Sequence, residues 1–487
     1  IFIDAVTYEK TSEAVIAYKN EIENDGLSVF VIADNWNKPD EIKEHILNLY
    51  SGKAPLEGVV FVGDIPIPMI RNAQHITSAF KLDEDNFPMY RSSVPSDRFY
   101  DDFDLKFTYI SQDTVDLLAH YYSLNPESPQ RIDRNIYSAR IKAPASDESK
   151  YEMINKYLLR AAGAKKSKHK LTNMFSYTGH GYYSESLPAW GDERISLKEQ
   201  FPQLFRHGGR IKNLFHSMSN EMKDYILTIL QKPDLDIALF HAHGTVEEQL
   251  INAYPRASMI GQNVEAIKLF LRSKLREAQR RNRSVEDAKK YYQDAYDVPD
   301  SWFEGAFSDS LITADSLLAY SLDIYVEDIR QISPQPKFVM FDQCFNGSFH
   351  KSPYIAGEYV FGNGNVIIAE ANSVNCLQDK WANEFLGLFN FGTRIGQWHK
   401  FVNLLESHLI GDPTFYFTHN TDYDVNHLLN FEQKNIKLWK ELVKSDFPEI
   451  RALAIHFLYK NLGKDYEKEL LSHYRNDESV NVRLQAF

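Results

Sequence analysis

Short apolar runs alternate along the chain with longer stretches whose apolar residues recur every three or four positions. The short runs are typical of buried strands in a parallel sheet, and the longer pattern is typical of amphipathic helices. The pattern predicts strands over 27–32, 59–62, 136–141, 171–177, 236–243, 338–341 and 365–371. It predicts helices over 11–25, 38–50, 146–162 and 354–361. This βαβ rhythm indicates an α/β fold with right-handed crossovers.

Three longer segments depart from the rhythm. Residues 71–135 are acidic and aromatic and are predicted to be irregular, whereas residues 195–231 are predicted to be mainly helical. Residues 255–333 form a helical block with a basic run at 268–283. We interpret that run as a solvated helical face, with an activation arm, a lid or a partner-docking surface as the alternatives. Its place in the chain predicts a role in gating or specificity.

The last segment, 421–487, changes to charged helices that contain an internal repeat. The repeat is an acidic turn followed by an aliphatic residue, an arginine and, three positions later, an alanine. The first copy contains Arg451 and Ala454, and the second contains Arg483 and Ala486, at an offset of 32 residues (483 − 451). This resembles HEAT repeats, in which helical units stack on one another and the array binds protein partners. Simple packing of these helices on the preceding domain is the alternative.

A cysteine and a histidine follow two of the predicted buried strands. Residues 338–343 lead to Cys344, and residues 236–242 lead to His243. Sites in open α/β sheets lie at the carboxyl ends of strands. An imidazole that accepts the thiol proton turns the thiol into a nucleophile toward a carbonyl carbon. We therefore predict that Cys344 is a nucleophile and that His243 is its general base and acid.

Gly244 follows His243 directly and lets the backbone approach a substrate closely. The main-chain N–H groups of Gly244 and Cys344 are predicted to bind a developing oxyanion. A rival histidine, His180, also follows a predicted strand and precedes a glycine. The more apolar strand before His243, and its place directly before the cysteine strand, favour His243. We interpret His241 as a packed neighbour.

Four carboxylates lie close together in the acidic segment: Asp97, Asp101, Asp102 and Asp104. One interpretation is a calcium loop with Asp101, Asp102 and Asp104 as ligands, because calcium takes six or more oxygens from a constrained loop. A role in the catalytic group and a solvated loop are the other two interpretations. The Cys–His chemistry itself requires no cofactor, so calcium would be structural.

Composition narrows the class of protein. The 487 residues are 43% apolar and 13% aromatic, which indicates a globular chain of two to four domains. A net charge of −13 argues against nucleic-acid binding, and no apolar run approaches the roughly 20 residues that span a bilayer. Cys376, the second of two cysteines, is interpreted as a small packed residue in preference to a Cys344–Cys376 disulfide, because both are expected on or after neighbouring strands of one sheet. Because the sequence begins at Ile1 rather than methionine, we expect a processed or trimmed product.

Several segments in a fixed order resemble those of one peptidase family. The His-Gly and Cys motifs resemble those of caspase-like cysteine peptidases, and within them the gingipain-type bacterial family. The segments at 58–64, 94–104 and 136–141 are similar to the family's early strand, Ser-Asp segment and strand-Gly-Arg segment, and 409–414 is similar to its Gly-Asp-Pro. The resemblance covers about 55–415. Two departures are Ala139, where a glycine is usual, and a long His-to-Cys spacing of 101 residues (344 − 243), which requires an insertion.

The resemblance implies an architecture. A smaller α/β subdomain would occupy 1–145, and a caspase-like catalytic subdomain would occupy 146–420 with the helical insertion at about 255–333. HEAT-like repeats would occupy 421–487. By the same resemblance, Asp97 lies near the family's third catalytic acid and is the candidate to orient His243. The family further implies a secreted or cell-envelope bacterial protein that is made as a zymogen.

The resemblance also indicates where a substrate would bind. The residues after the strand at 365–371, namely Ala371, Asn372 and Ser373, would line the pocket for the substrate residue before the scissile bond. Arg131 and Asp133 lie in the other segment expected to reach that pocket. An acid there would favour basic substrates, and an arginine would favour acidic ones. The sequence leaves this open.

The leading prediction is a cysteine endopeptidase, a thiol protease that hydrolyses peptide bonds through a thioester. The alternative, from another class, is a catalytically inactive interaction protein that uses its helical-repeat arm to bind protein partners. The sequence contains no Gly-x-Ser-x-Gly, His-Glu-x-x-His or phosphate-loop motif, which argues against serine-hydrolase, zincin and nucleotide chemistry.

Overall fold

The computed structural model describes residues 1–52, 56–179, 186–219, 221–251, 260–377, 381–419 and 421–487. The strands in these residues are β1 (Phe2–Asp4), β2 (Ile32–Asp34), β3 (Gly58–Val62), β4 (Ile67–Arg71), β5 (Val94–Pro95), β6 (Phe107–Gln112), β7 (Ala119–Leu124), β8 (Tyr137–Ile141), β9 (Asn173–Thr178), β10 (Arg210–Phe215), β11 (Ile237–His241), β12 (His243–Gly244), β13 (Glu248–Leu250), β14 (Ile324–Tyr325), β15 (Phe338–Asp342), β16 (Ile368–Asn372) and β17 (Ser407–Gly411).

The helices are α1 (Ala5–Asn24), α2 (Pro39–Tyr50), α3 (Met89–Ser92), α4 (Arg98–Asp101), α5 (Ser149–Lys166), α6 (Ser186–Gln200), α7 (Pro202–Phe205), α8 (Met222–Leu230), α9 (Ile260–Arg280), α10 (Val285–Tyr296), α11 (Asp309–Leu322), α12 (Val326–Gln331), α13 (Ile355–Phe361), α14 (Ile395–His399), α15 (Val425–Phe431), α16 (Ile436–Leu442), α17 (Pro448–Leu462), α18 (Glu467–Asn476) and α19 (Val480–Ala486). Short 3₁₀ turns lie at Gln74–Ile76, His216–Met218, Asp300–Phe303, Leu386–Phe391 and Gly463–Tyr466.

A ten-stranded sheet runs through the molecule in the order β10-β9-β11-β15-β16-β17-β8-β3-β1-β2. Neighbouring strands are parallel throughout this sheet except at β16 and β17, which pair antiparallel. The predicted α/β fold with a mostly parallel sheet is therefore confirmed. The antiparallel junction divides the sheet into two halves that run in opposite directions. As a result, the carboxyl ends of β3 and β8 lie at the edge opposite those of β11 and β15.

The structure corrects three of the sequence predictions. Residues 71–135, predicted to be irregular, contribute to a four-stranded sheet in the order β5-β4-β7-β6. Its strands lack a long apolar run because aromatic residues supply much of their buried surface, as Tyr121 and Tyr122 do in β7. The mainly helical segment 195–231 also contains the edge strand β10. The strand predicted over 27–32 is shifted, because β2 begins only at Ile32.

Separate hydrophobic clusters lie on the faces of the large sheet. One cluster packs α1, α5, α8 and α13 on the first face, where the predicted helix stripe of Ala14, Val15, Tyr18 and Ile22 is buried. A second cluster joins Leu239, Phe338 and Met340 of the sheet to α6 and to the helices of 425–486. The C-terminal helices therefore share a core with the sheet. The four-stranded sheet packs on β1 and β3 through a third cluster.

The helical insertion has a small core of its own. Leu271, Leu275, Phe303 and Ala306 form it, between α9 and the 3₁₀ turn at 300–303. Within the described part of the chain, no helix combines the length and the apolar character needed to cross a membrane.

Candidate active site

The strands that precede the predicted histidine and cysteine are neighbours in the sheet. β11 and β15 pair in parallel, and His241 lies opposite Asp342. The offset of that pair is 101 residues (342 − 241), which is also the offset between His243 and Cys344 (344 − 243). Each of the two residues therefore follows its strand by two positions at the same edge of the sheet. The strand predicted to run to His243 ends at His241, and His243 begins β12 of a small antiparallel sheet.

Side-chain amides connect the two chain segments. Gln343 donates from Nε2 to the main-chain carbonyl of His243 at 3.0 Å. The buried Gln249 donates to Gln343 Oε1 at 2.9 Å, and Tyr359 donates its hydroxyl hydrogen to Gln249 Oε1 at 2.6 Å. This buried relay holds the backbone of His243 beside the end of the cysteine strand.

A second amide bridge lies on the other side of Gly244. Asn346 donates from Nδ2 to the carbonyls of Thr245 at 2.6 Å and Glu248 at 3.0 Å. A Cβ atom at position 244 would lie 2.6 Å from Asn346 Nδ2 and 2.7 Å from the Cys344 carbonyl oxygen. Only glycine fits there, because real Cβ atoms do not approach other atoms so closely. The packing therefore requires glycine at position 244, independently of the predicted role of its main-chain N–H in binding an oxyanion.

The chain turns sharply after Cys344. Phe345 has φ +59°, the left-handed region that costs a non-glycine residue roughly 1–2 kcal/mol. Two main-chain hydrogen bonds to the neighbouring loop hold this conformation, Phe345 N–H to Val374 O at 3.1 Å and Gly347 N–H to Asn372 O at 2.9 Å. Backbone strain retained in this way is concentrated at functional sites in proteins.

The Cys344 side chain is partly exposed and contacts the second cysteine. Its Sγ accepts a hydrogen bond from the Cys376 N–H at 3.4 Å and lies 3.5 Å from the Cys376 carbonyl oxygen. Cys376 is buried, as a packed residue would be, and its Sγ lies 3.9 Å from Asp342 Oδ1.

A close contact between a histidine and an aspartate lies beside Cys376. His241 Nδ1 is 2.5 Å from Asp342 Oδ2, and Asp342 is almost fully buried. Glu193 of α6 lies close to the pair and accepts a hydrogen bond from Ser176 at 2.9 Å. Burial raises the pKa of Glu193, and the positive charge of His241 opposes that rise. His241 therefore has a carboxylate partner that sequence reasoning did not assign, although the shared 101-residue offset indicated it.

Asp97, the predicted orienting acid, is held by an arginine. Arg140 donates from Nε and Nη2 to the Asp97 carboxylate at 2.7–3.0 Å, and both side chains are buried. The Asp97 N–H donates to Nε2 of His408 at 3.1 Å. These contacts give no support to Asp97 as the acid that orients His243.

Two of the three carboxylates proposed as calcium ligands, those of Asp101 and Asp102, contact protein partners. Asp101 pairs with Arg98 at 2.8 Å and accepts from Ser138 at 2.6 Å. Asp102 accepts main-chain N–H groups of Asp104, Leu105 and Asp133, and burial raises its pKa to about 6. Asp104 is exposed. In the described ranges no group of three or more His, Cys, Asp or Glu side chains is arranged to hold a metal, and calcium binding by Asp101, Asp102 and Asp104 stays a prediction.

The residues predicted to line a substrate pocket divide into two groups. Ala371, Asn372 and Ser373 are fully buried, and Asn372 donates from Nδ2 to the carbonyls of Phe341 and Gln343 at 3.1 and 3.3 Å. In this structure the Asn372 amide therefore holds the backbone just before Cys344, and none of the three side chains has exposed surface.

The second group lies toward the C-terminal helices. Arg131 is exposed, and Asp133 pairs with Lys460 of α17 at 2.6 Å. Sequence reasoning missed a cavity of about 270 Å³ near β16, whose lining includes Glu370, Trp381, Glu384 and Phe401. Burial raises the pKa of Glu384 to about 7.

The rival histidine, His180, lies outside the described residues. Comparisons with protein-family models, curated proteins and solved structures find no match to this chain. The fold itself defines the class as a mixed α/β protein with a large, mostly parallel sheet.

Proposed function

We propose that this protein is a cysteine endopeptidase with Cys344 as nucleophile and His243 as general base and acid. The observation that carries the proposal is the pairing of β11 with β15, which brings both residues to the same sheet edge at the same offset. The amide bridges from Gln343 and Asn346 support it, because they fix the histidine loop against the cysteine turn. The resemblance to gingipain-type, caspase-like peptidases is part of this proposal, as is secretion or a cell-envelope location.

In the proposed reaction, His243 accepts the thiol proton and the Cys344 sulfur attacks the carbonyl carbon of the peptide. The oxyanion that forms would accept hydrogen bonds from the main-chain N–H groups of Gly244 and Cys344. His243 then gives its proton to the leaving amine, and the C–N bond breaks to leave a thioester. Water, deprotonated by His243, hydrolyses the thioester and restores the thiol.

The cavity near β16 is the proposed place for a substrate side chain. Glu370 and Glu384 give it an acidic lining, and Trp381 and Phe401 add aromatic surface. Acidic groups in such a pocket favour a basic side chain and reject an acidic one. Because the pKa of Glu384 is raised to about 7, we expect cleavage after lysine or arginine to become more favoured as the pH rises above 7 and this carboxyl ionises.

One observation favours the alternative of an inactive interaction protein with a helical-repeat arm. Arg451 of the first repeat forms a two-pronged ion pair with Asp477 of the second, at 2.8 and 3.0 Å. Such a contact between equivalent turns is how stacked helical units fix their spacing. The function of this helical region would then be to bind a partner protein on its surface.

The decisive experiment incubates the purified chain with a diverse peptide library beside the Cys344→Ala and His243→Ala variants. We expect the native chain to cleave peptides in the library. Cys344→Ala should abolish this cleavage, and His243→Ala should lower its rate by at least about 100-fold. Cleavage that persists in Cys344→Ala would overturn the assignment of the nucleophile.

A second measurement separates a latent enzyme from an inactive protein if the native chain cleaves nothing. Iodoacetamide should label Cys344 faster than Cys376, and His243→Ala should slow that labelling. Equal and slow labelling of both cysteines, unchanged in His243→Ala, would favour the interaction protein.

A further inference from the structure

The sequence contains two cysteines, and the fold brings them into contact. They lie 32 residues apart (376 − 344) on different loops, one after β15 and one after β16. The Cys344 sulfur touches both the main-chain nitrogen and the main-chain oxygen of Cys376. Hydrogen bonds anchor the Cys376 loop on both sides, from Phe345 N–H to Val374 O at 3.1 Å and from Leu377 N–H to Ser78 Oγ at 2.9 Å.

We propose that Cys376 is a resolving cysteine, which traps peroxide-oxidised Cys344 as a Cys344–Cys376 disulfide and so makes a reversible off-state of the site. The consequence for activity rests on the proposed function, in which Cys344 is the nucleophile. The thiol chemistry itself does not depend on that function, because it requires only the two sulfurs and an oxidant.

The oxidation proceeds in two balanced steps with hydrogen peroxide as the oxidant. The Cys344 thiolate attacks one peroxide oxygen, the O–O bond breaks, and hydroxide leaves. Sulfur is oxidised to a sulfenic acid and peroxide is reduced to water. The Cys376 thiolate then attacks the Cys344 sulfur, the S–O bond breaks, and hydroxide leaves as a second water once it is protonated. A dithiol reductant restores both thiols.

A buried thiol needs a base before it can attack, because burial disfavours the thiolate. Asp342 is in position to accept that proton, since its Oδ1 lies 3.9 Å from the Cys376 sulfur. The other carboxylate oxygen of Asp342 lies 2.5 Å from His241 Nδ1, so His241 holds this carboxylate in position beside Cys376. The His241–Asp342 pair thereby acquires a function in closing the disulfide.

A disulfide between the two cysteines requires their side chains to rotate toward each other. Disulfides join cysteines whose Cα atoms are about 4.4–6.8 Å apart. The Cys344 sulfur already lies 3.4 Å from the main-chain nitrogen of Cys376, and rotation of the Cys376 side chain away from Asp342 would turn its sulfur toward Cys344. If Cys376 were only a small packed residue, no disulfide between Cys344 and Cys376 would be expected.

The test treats the full chain with a few equivalents of hydrogen peroxide, blocks the remaining thiols by alkylation, and maps peptides by mass spectrometry. The native chain should yield a Cys344–Cys376 cross-linked peptide and lose iodoacetamide labelling at Cys344, and dithiothreitol should restore that labelling. In Cys376→Ser, Cys344 should instead gain two or three oxygen atoms, and the reductant should not restore labelling.

Equal over-oxidation of Cys344 in the native chain and in Cys376→Ser, with no cross-linked peptide, would overturn the proposal. Cys376→Ala serves the same purpose if the serine variant does not fold. His241→Gln removes the contact that positions Asp342, and it should slow formation of the cross-link at least about threefold. These readouts follow sulfur chemistry, so a chain without peptidase activity would still give a positive or negative result.

Discussion

The side-chain amide of Gln343 donates a hydrogen bond of 3.0 Å to the main-chain carbonyl of His243. Gln343 is fully buried, and its Oε1 atom in turn accepts from Gln249. One side chain therefore links the residue before the predicted nucleophile to the predicted base. Because the link runs to the backbone of His243, it sets the position of the loop rather than the chemistry of the ring.

Gln343→Met would keep the volume of the side chain and remove both hydrogen bonds. The main-chain carbonyl of His243 and the side-chain amide of Gln249 would each lose a hydrogen-bond partner, at a cost of about 1–3 kcal/mol each. We expect a lower free energy of unfolding, measured with urea, and at least tenfold slower iodoacetamide labelling of Cys344. Tyr359→Phe, which removes only the distant hydroxyl of the same relay, is the matched control and should cost about 1 kcal/mol. A native labelling rate in Gln343→Met would contradict a positioning role.

Gly244→Ala should disrupt the contact between the two loops. The new methyl group would overlap the Cys344 carbonyl and the Asn346 amide, so the loops must separate, at a cost of about 1–3 kcal/mol. The expected result is a lower melting temperature together with loss of peptide cleavage. Gly163→Ala in α5 is the control, because nothing lies within 4 Å of its added Cβ, and it should stabilise the helix by about 1 kcal/mol. Equal melting temperatures for the two variants would contradict steric overlap as the reason for glycine at 244.

Asp97→Asn should destabilise the protein strongly, because it leaves the buried Arg140 without its countercharge. Breaking one side of a buried pair costs about 3–5 kcal/mol. Asp104→Asn, in the same acidic segment but exposed, should change the free energy of unfolding by less than about 0.5 kcal/mol. If Asp97 instead oriented His243, its variant would keep native stability and lose only activity. Urea unfolding beside a peptide-cleavage assay distinguishes the two outcomes.

Leu453→Ala in α17 tests whether the C-terminal helices belong to the main core. Leu453 is fully buried in the cluster that includes Phe338 and Met340 of β15. We expect a loss of about 2–5 kcal/mol that appears in a single cooperative unfolding transition of the whole chain. Leu484→Ala in α19, where the side chain is 43% exposed, should cost less than about 1 kcal/mol. A separate early transition in Leu453→Ala would show that the helices fold as an independent arm.

The order of strands and helices, and the two residues at the sheet edge, could be predicted from local pattern. Apolar runs ending in Cys344 and in His241 to His243 identify buried strands, because a strand covered on both faces has few places for polar residues. The four-stranded sheet within 67–124 could not be predicted in this way, since its short strands carry mixed aromatic and polar residues. The antiparallel pairing of β16 with β17 also has no local signal.

The sequence by itself determined the α/β class and several buried strands of the large sheet, because these follow from periodicity, and it yielded the prediction of Cys344 as nucleophile and His243 as base. The tertiary structure alone decided which side chains contact one another. It assigned Asp97 to Arg140, Asp342 to His241 and Cys376 to Cys344. The reason is that a side chain meets residues tens to hundreds of positions away, and which carboxylate reaches which cation depends on strand order and register rather than on local sequence.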